Sequence, residues 1–216
     1  MVRQLLREFV KRTEMQFRAR LPDVVRRSYR LARSLGTVEA IEPISADLLA
    51  DCHFCASREA MLPLLPQAGI VAELGTYRGD FARQIIRLNQ PAALHLIDID
   101  YSVFDEAGLQ GPAVTRHVGY THETIAAFPD DHFDWIYIDA DHSFAGCLRD
   151  AQAAAPKVKL GGYLAFNDFA HIDPWLGRYG VQRAATEFAC TQRWPMAFFC
   201  YNPNGLYDVA FRRPEA

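Results

Sequence analysis

The sequence predicts a doubly wound α/β domain whose mostly parallel, seven-stranded sheet ends in an antiparallel hairpin, with helices at the N-terminus. Three observations carry this expectation. Half of the 216 residues are hydrophobic, enough for one sizeable core. From about Ser57 strand-length apolar runs alternate with helical periods, the mark of a parallel sheet wrapped on both faces. At the C-terminus two apolar runs are joined by Asn202-Pro203-Asn204-Gly205, a turn too short for a parallel crossover.

The first element is a basic arm. Val2, Leu5, Leu6, Phe9 and Val10 share one helical face, with Arg3, Arg7, Lys11 and Arg12 opposite. Pro22 interrupts the helix, and a second one runs to about Leu35, where Gly36 supplies a stop. Residues 1–34 hold ten Lys/Arg against Glu8, Glu14 and Asp23, a balance of +7 that leaves −10 for the remainder of a chain with net charge −3. The division is therefore drawn as an arm over 1–56 and a folded domain over 57–216. A transit peptide, a membrane-surface anchor and a nucleic-acid contact all fit such an arm, but a solvated helical cap on the domain is the favoured reading.

Within the domain, Ile70 to Leu74 reads as a strand, Phe81 to Leu88 as a helix with Phe81, Ala82, Ile85 and Ile86 inward, and Ala93 to Asp98 as a strand. Ala113 to Val118 and Trp135 to Asp139 continue the sheet. An Ala-rich helix capped by Ser143 and ended by Pro156 follows. A strand over Tyr163 to Asn167 is launched by Gly161-Gly162. A helix near Val181 to Cys190 precedes the terminal runs Met196 to Tyr201 and Leu206 to Phe211. Five scattered cysteines read as buried thiols, because Cys52-His53-Phe54-Cys55 has no second pair to complete a zinc site. No apolar run reaches the roughly 18 to 20 residues of a membrane span, so the chain is expected to be soluble and cytoplasmic.

Five parallel strands closed by an antiparallel hairpin resemble the Rossmann-like fold of class I S-adenosylmethionine-dependent methyltransferases. The turn Glu73-Leu74-Gly75-Thr76-Tyr77-Arg78-Gly79-Asp80 resembles their E/D-x-G-x-x-x-G motif, in which glycines let backbone approach the cofactor. The resemblance implies that Glu73, Gly75, Thr76, Tyr77 and Gly79 contact S-adenosylmethionine. Elementary electrostatics agrees, since a carboxylate at Glu73 repels a pyrophosphate but suits a ligand with ammonium and sulfonium charges. Asp98, about twenty residues on, ends the next strand where a carboxylate can accept from ribose hydroxyls, and Asp100 competes for that role. By resemblance the Gly119-Tyr120-Thr121 loop passes the adenine, although many relatives have Asp at Tyr120.

Ile136-Tyr137-Ile138-Asp139-Ala140-Asp141-His142 and Ala165-Phe166-Asn167-Asp168 resemble small-molecule and sugar O-methyltransferases, whose fourth strand ends in D-x-D/N-H. The likeness covers Ser57 to Phe211. Methyl transfer to a hydroxyl needs alignment and a proton acceptor. Asp139, Asp141, His142 and Asp168 at adjacent strand ends supply either a divalent-cation site or a direct base. In metal-using relatives the ligands map onto Asp139 and Asp168, with Asn167 or a water as third donor because Phe169 replaces the usual amide; Asp141 and His142 are then candidate bases. The expected reaction is methylation of a small hydroxylated acceptor (sugar, phenol or natural product), yielding S-adenosylhomocysteine, with Mg2+ as an optional helper. The acidic domain and the missing base-methylation motifs argue against a nucleic-acid partner, and a homodimer is left open. The alternative is a non-catalytic S-adenosylmethionine-binding module tethered by its arm.

Overall fold

The computed structural model describes residues 41–173 and 177–215. The two helices expected in the arm lie outside the described residues. Ile41–His171 with Tyr179–Ala216 form one compact unit. The described part of the second unit is a short antiparallel ribbon, Ile172–Asp173 against Gly177–Arg178.

The main sheet has eight strands: β1 (His53–Cys55), β2 (Ile70–Leu74), β3 (Ala93–Asp98), β4 (Val114–Val118), β5 (Phe133–Ile138), β6 (Val158–Phe166), β7 (Met196–Cys200) and β8 (Asp208–Arg212). Their spatial order is β1-β7-β8-β6-β5-β2-β3-β4. All pairs are parallel except those of β8 with β6 and β7. The antiparallel C-terminal hairpin is therefore present. The expectation of seven strands is corrected to eight, because β1 adds itself to the outer edge of β7 from within the stretch assigned to the arm.

Period-two alternation sorts the central strands between two layers. Ala72, Leu74, Ile136, Ile138, Leu164 and Phe166 point into one core. That side is covered by α3 (Thr121–Ala126), α4 (Phe144–Ala154) and α5 (Val181–Gln192). Val71, Leu94, Leu96, Trp135, Tyr137 and Ala165 point the other way, against α1 (Arg58–Met61) and α2 (Asp80–Asn89). In α2, Phe81, Ala82 and Ile85 make the inward stripe and Gln90, with a left-handed φ of 52°, ends the helix. Ser143 caps α4 as its spacing implies, its hydroxyl accepting from Gly146 N.

One strand start differs from expectation. β6 begins at Val158, and Gly161-Gly162 lie inside it: Phe133 pairs with Val158, but Trp135 pairs with Tyr163. Four residues there stand opposite one, so three are extra to the ladder, and Gly161 takes φ +74°. Glycine inside a strand marks a bulge as readily as a beginning. The five strands β2 to β6 end at one edge of the sheet. The chain leaves β2 toward β3 and β4 and returns on the other side to β5, so a topological switch point lies beside β2.

Candidate functional site

Two groups of residues meet at this edge. The first is built largely by backbone. Gly75 follows β2 at φ +88°, and a Cβ there would lie 2.2 Å from the carbonyl oxygen of Asp139, so only glycine fits. Gly79 caps α2 at φ +79°, and its Cβ would press on Leu109 and Phe104. Between them Thr76 and Tyr77 point their amides at the end of β3, where Asp98 Oδ2 accepts from both at 2.8 Å. Asp98 Oδ1 accepts only from Asp100 N, at 3.2 Å. Asp100 itself folds back on Ser102, accepting from its amide and hydroxyl. Gly119 N donates to the Asp98 carbonyl at 2.9 Å, and this ties the Tyr120 loop to the same strand end. Tyr120, partly exposed, then caps α3.

Glu73 is 1% exposed, and burial together with neighbouring Asp139 pushes its carboxyl well above the usual carboxylate range. Its Oε2 and the Thr76 hydroxyl are buried with no hydrogen-bond partner among the described residues. Such orphaned acceptors are costly unless a ligand satisfies them. Together with the cradle only Gly75 permits and Asp98 Oδ1, held by a single 3.2 Å amide contact among the described residues, they fit a nucleoside bearing positive charge.

The second group is built by side chains. Asp139 N donates to Leu74 O and Asn167 N to Ile138 O, so the segments following β5 and β6 stay in register with the sheet. His142 Nε2 lies 3.3 Å from Asp139 Oδ1, 3.4 Å from Asn167 Oδ1 and 3.9 Å from Asp168 Oδ2. Its ring packs on Tyr179, 4.5 Å between centroids. Burial pulls the imidazole pKa down, but Asp139, Asp168 and Asn167 outweigh it, and the pKa is raised. Burial raises Asp168, with Asp139 adding to it and His142 opposing.

Two expectations are corrected here. Asp141 does not join this cluster: it is exposed, its Oδ1 accepts from Ser143 N, and it packs over Gly146 at the start of α4. It faces the start of α4 rather than the imidazole. Nor do Asp139, Asn167 and Asp168 fit a magnesium-like ion, because the His142 nitrogen stands between the two carboxylates. Among the described residues no three His, Cys, Asp or Glu side chains are arranged to hold a metal.

Sequence reasoning missed a buried row behind the cluster. Tyr137, on β5, is fully buried; its hydroxyl donates to Asp208 and accepts from Asn167 Nδ2 at 3.0 Å and from Arg58 at 3.2 Å. Burial pushes the Asp208 carboxyl up to about 7, although Tyr137 and Arg58 oppose the shift. The available signal was polarity in otherwise apolar strands: a hydroxyl in Trp-Ile-Tyr-Ile and a carboxylate opening Asp-Val-Ala-Phe. In front of this row a cavity of about 410 Å³ opens between α1, the end of β6 and the β7–β8 loop. Arg58, Asn167, Asp168, Tyr201, Asn204 and Asp208 are among its walls.

Residues 72–169 match a family model described as a methyltransferase domain. No curated protein matches the chain. Among solved structures, the pyocyanin biosynthetic protein PhzM aligns with TM-score 0.58 at 13% identity, over 73% of this chain and 54% of its own. Spermidine synthase from Thermotoga maritima aligns with TM-score 0.54 at 15% identity, over 73% of this chain and 57% of its own. An O-methyltransferase family protein from Burkholderia thailandensis aligns with TM-score 0.53 at 13% identity, over 68% and 52%. The chain thus spans little more than half the length of these three proteins, and the likeness is one of fold.

Proposed function

We propose that this chain, whose residues 72–169 match a methyltransferase-domain model, moves the methyl group of S-adenosylmethionine to a hydroxyl of a small acceptor such as a sugar, a phenol or a natural product. In this reading His142 is the general base and no metal takes part. The observation that carries it is the crowding of acceptor oxygens on one imidazole nitrogen. Asp139, Asn167 and Asp168 all surround Nε2, which must therefore hold a proton. Nδ1 has no partner among the described residues and is left with its lone pair.

The cofactor would rest on the turn from Glu73 to Gly79 and on Asp98, with Tyr120 beside the purine; Glu73 and the Thr76 hydroxyl would gain the partners they lack. When bound it supplies an electrophilic methyl carbon on a sulfonium leaving group. The rest falls to the protein. The cavity beside Asn167 and Asp168 receives the acceptor, and Nδ1 of His142 takes the hydroxyl proton as the oxygen becomes nucleophilic. Asp139 and Asp168 stabilise the imidazolium that results, the role a carboxylate plays behind a basic histidine.

The test is calorimetry with S-adenosylhomocysteine, followed by a transfer screen over hydroxylated acceptors before and after exhaustive chelation. The expected outcome is product binding and a transfer rate indifferent to chelation. Transfer lost on chelation and restored by magnesium would replace the imidazole with a cation.

A further inference from the structure

The buried row behind His142 starts from Tyr137, the partner of Glu73 across the β2–β5 ladder, and its hydrogen bonds run in one direction. Arginine can only donate, so the Tyr137 oxygen accepts from Arg58 NH1. Once Asp208 is ionised, which its raised pKa places above about pH 7, it can only accept, so the single phenol proton goes to it. With its proton committed, the Tyr137 oxygen can meet Asn167 only as an acceptor, and Asn167 must turn its NH2 group toward it, as the 3.0 Å contact from Nδ2 has it. The other end of the same amide, Oδ1, then faces His142 Nε2 at 3.4 Å. An acceptor in that place favours the tautomer with the proton on Nε2.

We infer that Tyr137 and Asp208 are positioning residues for the reaction: they fix the amide of Asn167, and through it the tautomer that leaves Nδ1 of His142 open. The inference rests on His142 being the base. It assigns a task to three polar side chains that the sheet otherwise buries at a cost, since Asp208 is 3% exposed and Tyr137 fully enclosed. Asp139 alone, 3.3 Å from Nε2, holds one side of the ring; Asn167 holds the other only while its amide cannot turn over. Take away the phenol hydroxyl and the amide loses the acceptor that holds its NH2 group, so that a flip can aim NH2 at Nε2 and draw the proton toward Nδ1 against the pull of Asp139 and Asp168.

The experiment records long-range proton–nitrogen correlations of the full chain labelled with 15N-histidine, the His142 signals being assigned by their absence in His142→Gln. The wild type should show the Nε2-protonated pattern. Asp208→Asn, which keeps an oxygen for the Tyr137 proton, should preserve it. Tyr137→Phe and Asp208→Leu should admit the Nδ1-protonated form and lower kcat about tenfold, with the KM for S-adenosylmethionine unchanged. Should Tyr137→Phe fail to fold, Asn167→Ala removes the last link alone and carries the same expectation. An unaltered Nε2-protonated pattern in these variants overturns the inference. The spectra need no acceptor and no turnover, so a base other than His142 would show as full activity in His142→Gln and leave the tautomer measurement standing by itself.

Discussion

The two halves of the site are made differently. Around Asp98 the chain uses main-chain amides and the conformational freedom of Gly75, so one carboxylate organises a whole turn. Around His142 it uses side chains gathered from α1, β5, β8 and the segments after β5 and β6, joined to one another by side-chain hydrogen bonds. A half built from backbone resists substitution at its glycines and at the one carboxylate that gathers its amides. A half built from side chains fails at whichever member is removed. If this contrast is correct, damage to one half should leave the other's signature intact.

The largest effect is expected from His142→Ala. Loss of a general base costs roughly 100- to 10,000-fold in rate, while affinity for S-adenosylhomocysteine by calorimetry should stay within a factor of two. Equal loss of rate and affinity would dissolve the division. Asp98→Ala should do the reverse, lowering cofactor affinity roughly ten- to a hundredfold, because hydrogen bonds to a charged group contribute about 1.5–3 kcal/mol and the Thr76 and Tyr77 amides lose their shared acceptor. Unchanged affinity in that variant would move the ribose contact elsewhere.

The smallest effect concerns pH. His142 has a raised pKa when folded, so the proton that blocks it as a base leaves only above the ordinary histidine value. The transfer rate should therefore rise with pH through an ionisation above 6.5, and Asp139→Asn should slide that limb to lower pH. The linkage to stability has the opposite slope: the His142–carboxylate pairing supports the fold fully below the unfolded pKa and fades as pH climbs through the folded one. A limb unmoved by Asp139→Asn would detach the imidazole from that carboxylate.

The same contrast explains what could be read from the sequence. β2 and β3 begin and end where their apolar runs do, and Gly75 with Asp98 was visible because a backbone site leaves glycines and strand-end carboxylates at short, regular separations. Asp139, His142, Asn167 and Asp168 were visible for a similar reason, lying just past two apolar strands. Tyr137, Asp208 and Arg58 were not, since they lie at separations of 79 and 71 residues along the chain and meet only through sheet order. Asp141 misled because a carboxylate two residues before a serine serves a helix start as readily as a reaction. The six-residue α3 has no side-chain cap, and the three-residue β1 is too short to show a period.

β1 has a consequence in time. A ribosome makes His53–Cys55 long before Phe198, the partner of His53, which follows 145 residues later. The first strand of the main sheet to emerge is thus among the last to be paired, and the outer rim of β7 stays open until the two ends of the domain find one another. Long-range closure of this kind is slow relative to local structure, and an open strand rim is a template for another chain. During synthesis the vulnerable surface of this domain is therefore its outer seam, whose end, at Cys55 and Cys200, borders the pocket where its chemistry would later take place.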